Sequence, residues 1–290
     1  MSTSLHALSD AIAGIVAGAA PSIVSVRTAR GRSSGFVWRD DLVVTAEEAL
    51  PEDTDVAVVT TAGTSARAEV IGRDPSTDVV LLRAPGLNAP PLPLSTDIPA
   101  VGRLALAVGA AETGPFASLG IVATTGPAWR SLRGGQIDAL IRLGLSMPGD
   151  AEGGVALDDT GRAFGMAVFG PRRRVIVIPA ATIGRVAERL STHGRVARGW
   201  LGLGLQPVAV DGGRGAGAMV MTVADNGPGA HAGLRQGDII LAWAGAPVTG
   251  LRPIMRALGP ESVGTDIPLS VKRGETVQEV RVTIAERPAA

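Results

Sequence analysis

The residues best placed to do chemistry lie in the run Met147-Pro148-Gly149-Asp150-Ala151-Glu152-Gly153-Gly154-Val155-Ala156-Leu157, a glycine-rich turn followed by a paired glycine and an apolar strand. Glycines at such a turn let the backbone bend tightly and aim N–H groups at a developing oxyanion. No serine, threonine or cysteine stands immediately before Gly153-Gly154; Glu152 does. The other side chains that could carry a proton are sparse. His6 precedes the first strand, His193 ends a helical stretch and His231 falls in the last third of the chain, so all three read as surface or structural. Arg172-Arg173-Arg174 reads as a solvated hairpin tip, with pairing to nearby acids as the alternative.

The elements that must position this loop are short. Ile23–Arg27, Gly35–Trp38, Leu42–Thr45, Val56–Val59, Ala68–Ile71 and Val79–Leu82 are strand-like runs broken by Gly, Pro and Asp turns. A proline-rich segment from Pro85 to Pro99 separates them from a second group: Leu104–Val108, Gly120–Ala123, Ala139–Arg142, Val155–Leu157, Ala163–Val168 and Val175–Ile178. Strands at this spacing with no helices between them predict a sandwich or closed barrels. Ile183, Val186, Ala187 and Leu190 then recur at helical spacing, with Gly194 as the C-terminal cap, which predicts one connecting helix. From Arg198 to Arg287 a further unit of strands contains a short helix at Leu251–Leu258 and a hairpin turning at Lys272–Glu275. The resulting organisation is an N-terminal helix or arm over 1–21, a two-barrel domain over 22–180 with its internal boundary near 85–99, a connecting helix over 181–197 and a final domain over 198–287.

Composition narrows the function. With 27 basic and 27 acidic residues the net charge is zero, which argues against nucleic acid or an anionic membrane as partner. The absence of cysteine excludes thiolate metal sites and cysteine nucleophiles. The apolar run Ala11–Val26 lacks a basic lead-in and is broken by Pro21, so it reads as a packed helix rather than an export signal or a membrane span. The expected location is cytoplasmic, or periplasmic if the start is misassigned.

Three passages resemble the HtrA/DegP family of trypsin-like serine proteases, over nearly the whole chain. Ala68–Leu82 is similar to the segment around that family's catalytic aspartate, Gly194–Gly202 to its protease-to-PDZ junction, and Gly227–Ile240 to the core of its PDZ domains. The resemblance implies a mainly β fold: a double six-stranded β-barrel, then a connecting helix and one PDZ domain. It places Asp78 at the triad aspartate. Glu48, in Thr45-Ala46-Glu47-Glu48, falls at the histidine position, and Glu152 at the serine position, with Ala151 there if no insertion is allowed. The oxyanion loop would comprise Gly149, Asp150, Ala151 and Gly153.

A serine hydroxyl needs a neighbouring base, itself oriented by a third group. With carboxylates at two of the three positions, conventional serine proteolysis is not expected. Three converging carboxylates would take up a proton, pair with arginines, or hold a hard cation such as Ca²⁺ or Mg²⁺ through Glu48, Asp78 and Glu152. Asp74-Pro75 starts a turn that Asp78 could simply cap. By the same resemblance Trp200, Leu201, Gly202 and Leu203 form the carboxylate-binding turn and strand of the PDZ unit, and Leu251, Met255 and Leu258 its helical wall, with core packing as the alternative role. The expectation is therefore an inactive protease homologue that binds peptides or protein C-termini and needs no cofactor. A homo-oligomer, a trimer by resemblance, is expected, and the alternatives are an endopeptidase with a non-standard site and a cation-binding structural protein.

Overall fold

The computed structural model describes residues 2–288 apart from 53–54, 113, 132 and 211–214. By contacts the chain divides into a unit of 1–129 with 136–196 and a unit of 130–135 with 197–290.

The first unit begins with helix α1 (Ser2–Ala19), whose Ile12, Ile15 and Val16 pack on the barrel core, as their helical spacing predicts. Six strands follow: β1 (Ile23–Thr28), β2 (Gly31–Arg39), β3 (Leu42–Thr45), β4 (Val56–Thr60), β5 (Ser65–Asp74) and β6 (Val79–Arg83). They close into a barrel in the order β1-β2-β3-β6-β5-β4, every described pairing antiparallel. Strands β7 (Leu104–Ala110), β8 (Pro115–Gly126), β9 (Trp129–Arg130), β10 (Gln136–Ile137), β11 (Leu140–Leu143), β12 (Val155–Asp158), β13 (Ala163–Phe169) and β14 (Val175–Pro179) come next. Six of these close a second barrel in the order β11-β14-β13-β12-β7-β8, while β9 and β10 form a small ribbon. Closure removes sheet edges, which suits short strands rich in Val, Ala and Ile. The fold expected from sequence, two six-stranded barrels, is thus present.

Helix α2 (Ala180–His193) buries Ile183, Val186, Ala187 and Leu190 against the barrel core, and Gly194 ends it in the left-handed conformation at φ 70°. Gly72 in β5 packs so closely on this cap that a Cβ there would lie 2.3 Å from the Gly194 carbonyl oxygen. The helix is therefore clamped at its end as well as along its face.

The second unit carries β15 (Gly199–Trp200), β16 (Leu203–Val210), β17 (Gly215–Val223), α3 (Pro228–His231), β18 (Ile239–Trp243), β19 (Ala246–Pro247), α4 (Leu251–Ala257), β20 (Asp266–Arg273), β21 (Thr276–Thr283) and β22 (Ala285–Glu286). Its sheet runs β16-β17-β18-β20-β21, with β19 beside β18, over a core of Leu201, Val220, Ile240, Ile254, Leu269 and Val282. Asp238 anchors this unit: its buried carboxylate accepts from Arg273 Nη2 at 2.7 Å and from the Arg235 N–H at 2.9 Å, and the Arg273 guanidinium holds its pKa below the usual value. Neither α3 nor the β9–β10 ribbon is legible from periodicity, since both are too short for their pattern to repeat.

Removing the Leu190 side chain tests the clamp on α2. Leu190→Ala is expected to cost about 2–5 kcal/mol and Leu190→Met less than about 1.5 kcal/mol, measured by urea unfolding followed through the buried Trp38.

Candidate functional site

The two barrels bring Glu48, Asp78 and Glu152 to one cleft. Glu48 lies in the turn leaving β3, Asp78 at the end of the β5–β6 turn, and Glu152 at the end of a 3-10 turn, Gly149–Ala151, that leads into β12. Two of the three carboxylates are held by backbone donors. Asp78 sits in the left-handed region at φ 60°, an uncommon conformation for a residue with a side chain. Its Oδ1 accepts the Glu48 N–H at 2.8 Å. The β5–β6 turn is instead held by Asp74, whose two oxygens accept from the Ser76 N–H and hydroxyl and from the Thr77 hydroxyl at 2.5–3.0 Å. The simple capping role open to Asp78 in the sequence thus belongs to Asp74. Glu48 is exposed, and Glu152 is half-buried with its Oε1 accepting the Phe169 N–H at 3.0 Å.

Burial raises the Asp78 pKa to about 7; the Glu48 N–H opposes this and the charges of Glu48 and Glu152 add to it. Burial also raises the Glu152 pKa, against the Phe169 N–H and the Arg173 charge, with Glu48 again adding. The three carboxylates feel one another's charge, as expected of like charges in one cleft. They do not assemble a cation cage: among the described residues no group of three or more His, Asp or Glu side chains could hold a metal ion. The reason is geometric. Asp78 and Glu152 are each engaged by a separate backbone N–H, and Glu48 stands in solvent.

The glycine-rich turn is closed inward. Ala151 N–H donates to the Pro148 carbonyl at 3.1 Å, Glu152 N–H to Gly149 at 3.2 Å, Gly153 N–H to Ala167 at 3.0 Å and Gly154 N–H to Ala151 at 3.0 Å. The glycine pattern alone predicts a turn that aims N–H groups at an oxyanion, whereas these four donors are spent inside the protein. Gly153 is obligatory: it has φ 86°, and a Cβ would lie 2.3 Å from the Ser34 carbonyl oxygen.

Ser34 and Arg73 are positioning residues that sequence reasoning misses. The buried Ser34 donates its hydroxyl to the Asp150 carbonyl at 2.8 Å, receives the Ala110 N–H at 2.9 Å, and donates its own N–H to the Glu152 carbonyl at 2.8 Å. Thr45 donates its hydroxyl to the Ser34 carbonyl at 2.7 Å. Both hydroxyls that pack beside the turn are therefore fully buried and committed. Arg73 donates to the carbonyls of Leu50 and Pro51 at 2.7 and 2.9 Å and so fixes the chain just after Glu48. The one signal in the sequence is the pair Ser33-Ser34 just before the apolar run Phe36–Trp38 of the same strand.

Of the other expected residues, Asp150 pairs with Arg32 at 3.0 Å and Gly149 opens the 3-10 turn. Arg173 lies over the Phe169 ring at 4.2 Å, facing Glu152 electrostatically. In the second unit Leu201 is buried and Gly202 takes φ 69°, as a tight turn before β16 requires. Leu203, Leu251 and Leu258 are half-buried core contacts, Trp200 is half-buried in β15, and Met255 is 54% exposed. Among the described strands β16 pairs only with β17, so its other edge is open.

The trypsin-like peptidase domain profile matches residues 33–166 and the PDZ domain profile residues 201–284. A probable periplasmic serine endoprotease, DegP-like, from Brucella suis is 32% identical over 277 residues, covering 89% of this chain and 53% of its own. The same-named protein of Pseudomonas putida is 30% identical over 281 residues, covering 90% and 57%. The chain thus spans about half the length of the curated relatives it matches. The crystal structure of a serine endoprotease from Yersinia pestis superposes with a TM-score of 0.72 at 27% identity, over 94% of this chain and 97% of that one. The HtrA-type protease AlgW with decapeptide shares the fold at a TM-score of 0.73 and 22% identity, over 96% and 99%. These relatives correct the cytoplasmic expectation, because they are named periplasmic. That expectation rested on a missing basic segment at one end, and an absence there carries no information about compartment. Among the described residues no helix is long and apolar enough to cross a membrane.

Two measurements check the site. Asp78 binds more protons folded than unfolded between its ordinary 3.8 and about 7. The stability it contributes is therefore complete below pH 3.8 and lost as pH rises through about 7, at no more than about 1.4 kcal/mol per pH unit. Asp78→Asn is expected to remove that fall from the urea-derived stability profile. Ser34→Ala, which strands the Ala110 N–H, is expected to cost about 1–3 kcal/mol and to speed amide exchange at Ala110 and Glu152.

Proposed function

We propose that this chain, which carries matches to a trypsin-like peptidase domain and a PDZ domain and is similar to DegP-like relatives, is an HtrA/DegP-like protein that holds peptides or protein C-termini without cleaving them, in an adaptor- or chaperone-like role. The observation that carries this reading is the double substitution in the cleft. In this reading Glu48 and Glu152 stand where a base and a nucleophile would serve Asp78, and the inward-turned backbone donors of Ala151 to Gly154 support it. Acyl transfer needs an activated nucleophile and donors aimed at the oxyanion, and two carboxylates beside four committed donors speak against both.

Peptide capture is supported by the open edge of β16, the adjacent α4 and the tight turn at Gly202. An extended C-terminal segment adds to such an edge as a strand, its carboxylate taken by backbone N–H groups of the turn. The AlgW protease with its decapeptide supports the same use of this fold. A homo-oligomer fits Leu5 and Leu8, which stand 75% and 47% exposed on α1.

Active endopeptidase is the second reading, favoured by the names its relatives carry and by a carboxyl, Asp78, that titrates near neutrality beside two others. The full chain is expected to leave unfolded casein intact. Cleavage that disappears in both Asp78→Ala and Glu152→Ala would establish the second reading instead. A C-terminal peptide library is expected to yield binders whose affinity drops at least about tenfold on C-terminal amidation and several-fold in Met255→Ala, read by fluorescence anisotropy. A library without a selectable sequence removes the capture reading.

A further inference from the structure

Several arginines of the first unit hold a carboxylate. Arg32, Arg39, Arg103, Arg162 and Arg185 each lie within 3.0 Å of an Asp or Glu oxygen. A second group is arranged differently. Arg142 in β11 and Arg173 and Arg174 in the β13–β14 loop line one open pocket of about 590 Å³, with Ala123, Leu145 and Val175 as its apolar walls. Among the described residues no acidic side chain lines it.

The backbone is shaped to make this cluster. β11 carries an irregularity in its register with β8 between Arg142 and Leu143, a device that re-aims a side chain within a strand. The facing loop places Arg172 and Arg173 consecutively in the left-handed region, at φ 58° and 55°, where side-chain-bearing residues are uncommon. Three guanidiniums gathered in one concavity repel one another, and apolar walls strengthen whatever charge enters. A planar oxyanion meets the fork of each guanidinium with two parallel hydrogen bonds.

We propose that this pocket binds the carboxylate side chains of an acidic peptide segment. Its occupant is a peptide because the pocket opens beside the cleft. Arg173 lines it and also stacks on Phe169, the residue whose N–H holds Glu152, and its Nη2 reaches within 4.0 Å of where a Gly149 Cβ would stand. A chain laid along the cleft therefore passes the pocket mouth. Arg173 is partly satisfied by the charge of Glu152, so discrimination falls on Arg142 and Arg174. The site is distinct from the β16 edge and does not depend on whether the cleft cleaves.

The test uses the full chain and two fluorescein-labelled, C-terminally amidated peptides, one bearing three consecutive glutamates and the other three glutamines. Amidation removes the terminal carboxylate that the β16 edge would take. The glutamate peptide is expected to bind at least tenfold more tightly, with affinity falling as salt rises. Arg174→Gln, on the exposed loop, and Arg142→Gln are each expected to weaken it several-fold without changing the melting temperature. Arg281→Gln in the second unit is expected to leave it unchanged. Equal binding of the two peptides, or unaltered binding in both pocket variants, overturns the proposal. Inorganic phosphate that binds and is lost with Arg142→Gln, while the glutamate peptide does not bind, also overturns it by assigning the pocket to free anions.

Discussion

Ser34 is the residue on which the cleft depends. It belongs to β2 of the first barrel, yet its hydroxyl and N–H hold the carbonyls of Asp150 and Glu152, and its hydroxyl takes the Ala110 N–H from β7 of the second barrel. One small polar side chain therefore stitches the barrels together where the three acids meet. A buried polar group is costly when any of its bonds is missing. The glycines around it follow from that close approach. A Cβ on Gly153 would lie 2.3 Å from the Ser34 carbonyl oxygen, and one on Gly109 would lie 2.5 Å from its hydroxyl, so neither position admits a side chain.

The same closeness sets the electrostatics. Glu152 does not enter the cleft as a free anion. Glu152 takes an N–H from Phe169 and the field of Arg173, and Asp78 takes the N–H of Glu48. Fixed backbone donors solvate two of the acids and the third is exposed, and among the described residues the three form no metal group. Burial is what lifts the Asp78 pKa, with the neighbouring charges adding less.

The short strands and the helix over Ala180–His193 were legible from the alternation of short apolar runs and one switch to helical period, which left a sandwich and closed barrels both open; the two six-stranded barrels were implied by the family resemblance. The positions of Glu48, Asp78 and Glu152 were legible because the glycines, Asp74 and the turn residues that frame them are local in sequence. What was not legible is long-range. The partners of the Ser34 hydroxyl lie more than seventy residues away, and nothing in a local window announces them. The direction of the N–H groups at Ala151–Gly154 was also hidden, since the same glycine-rich run permits a turn whose donors face outward or inward. Capping at Asp74 instead of Asp78 is the same kind of ambiguity, settled only by where the Glu48 N–H arrives.

The open edge of β16 has a limit written into its own sequence. Pro207 stands in the middle of that strand, opposite Ala218 of β17. Proline brings no N–H, and on an edge strand its vacant side faces away from the sheet. A segment laid against the edge therefore meets a continuous ladder only from Leu203 to Gln206 before one rung is missing. The proline acts as a ruler: it lets a tail of a few residues dock while denying a long strand, including one from another copy of the sheet, the unbroken pairing by which exposed edges propagate into aggregates.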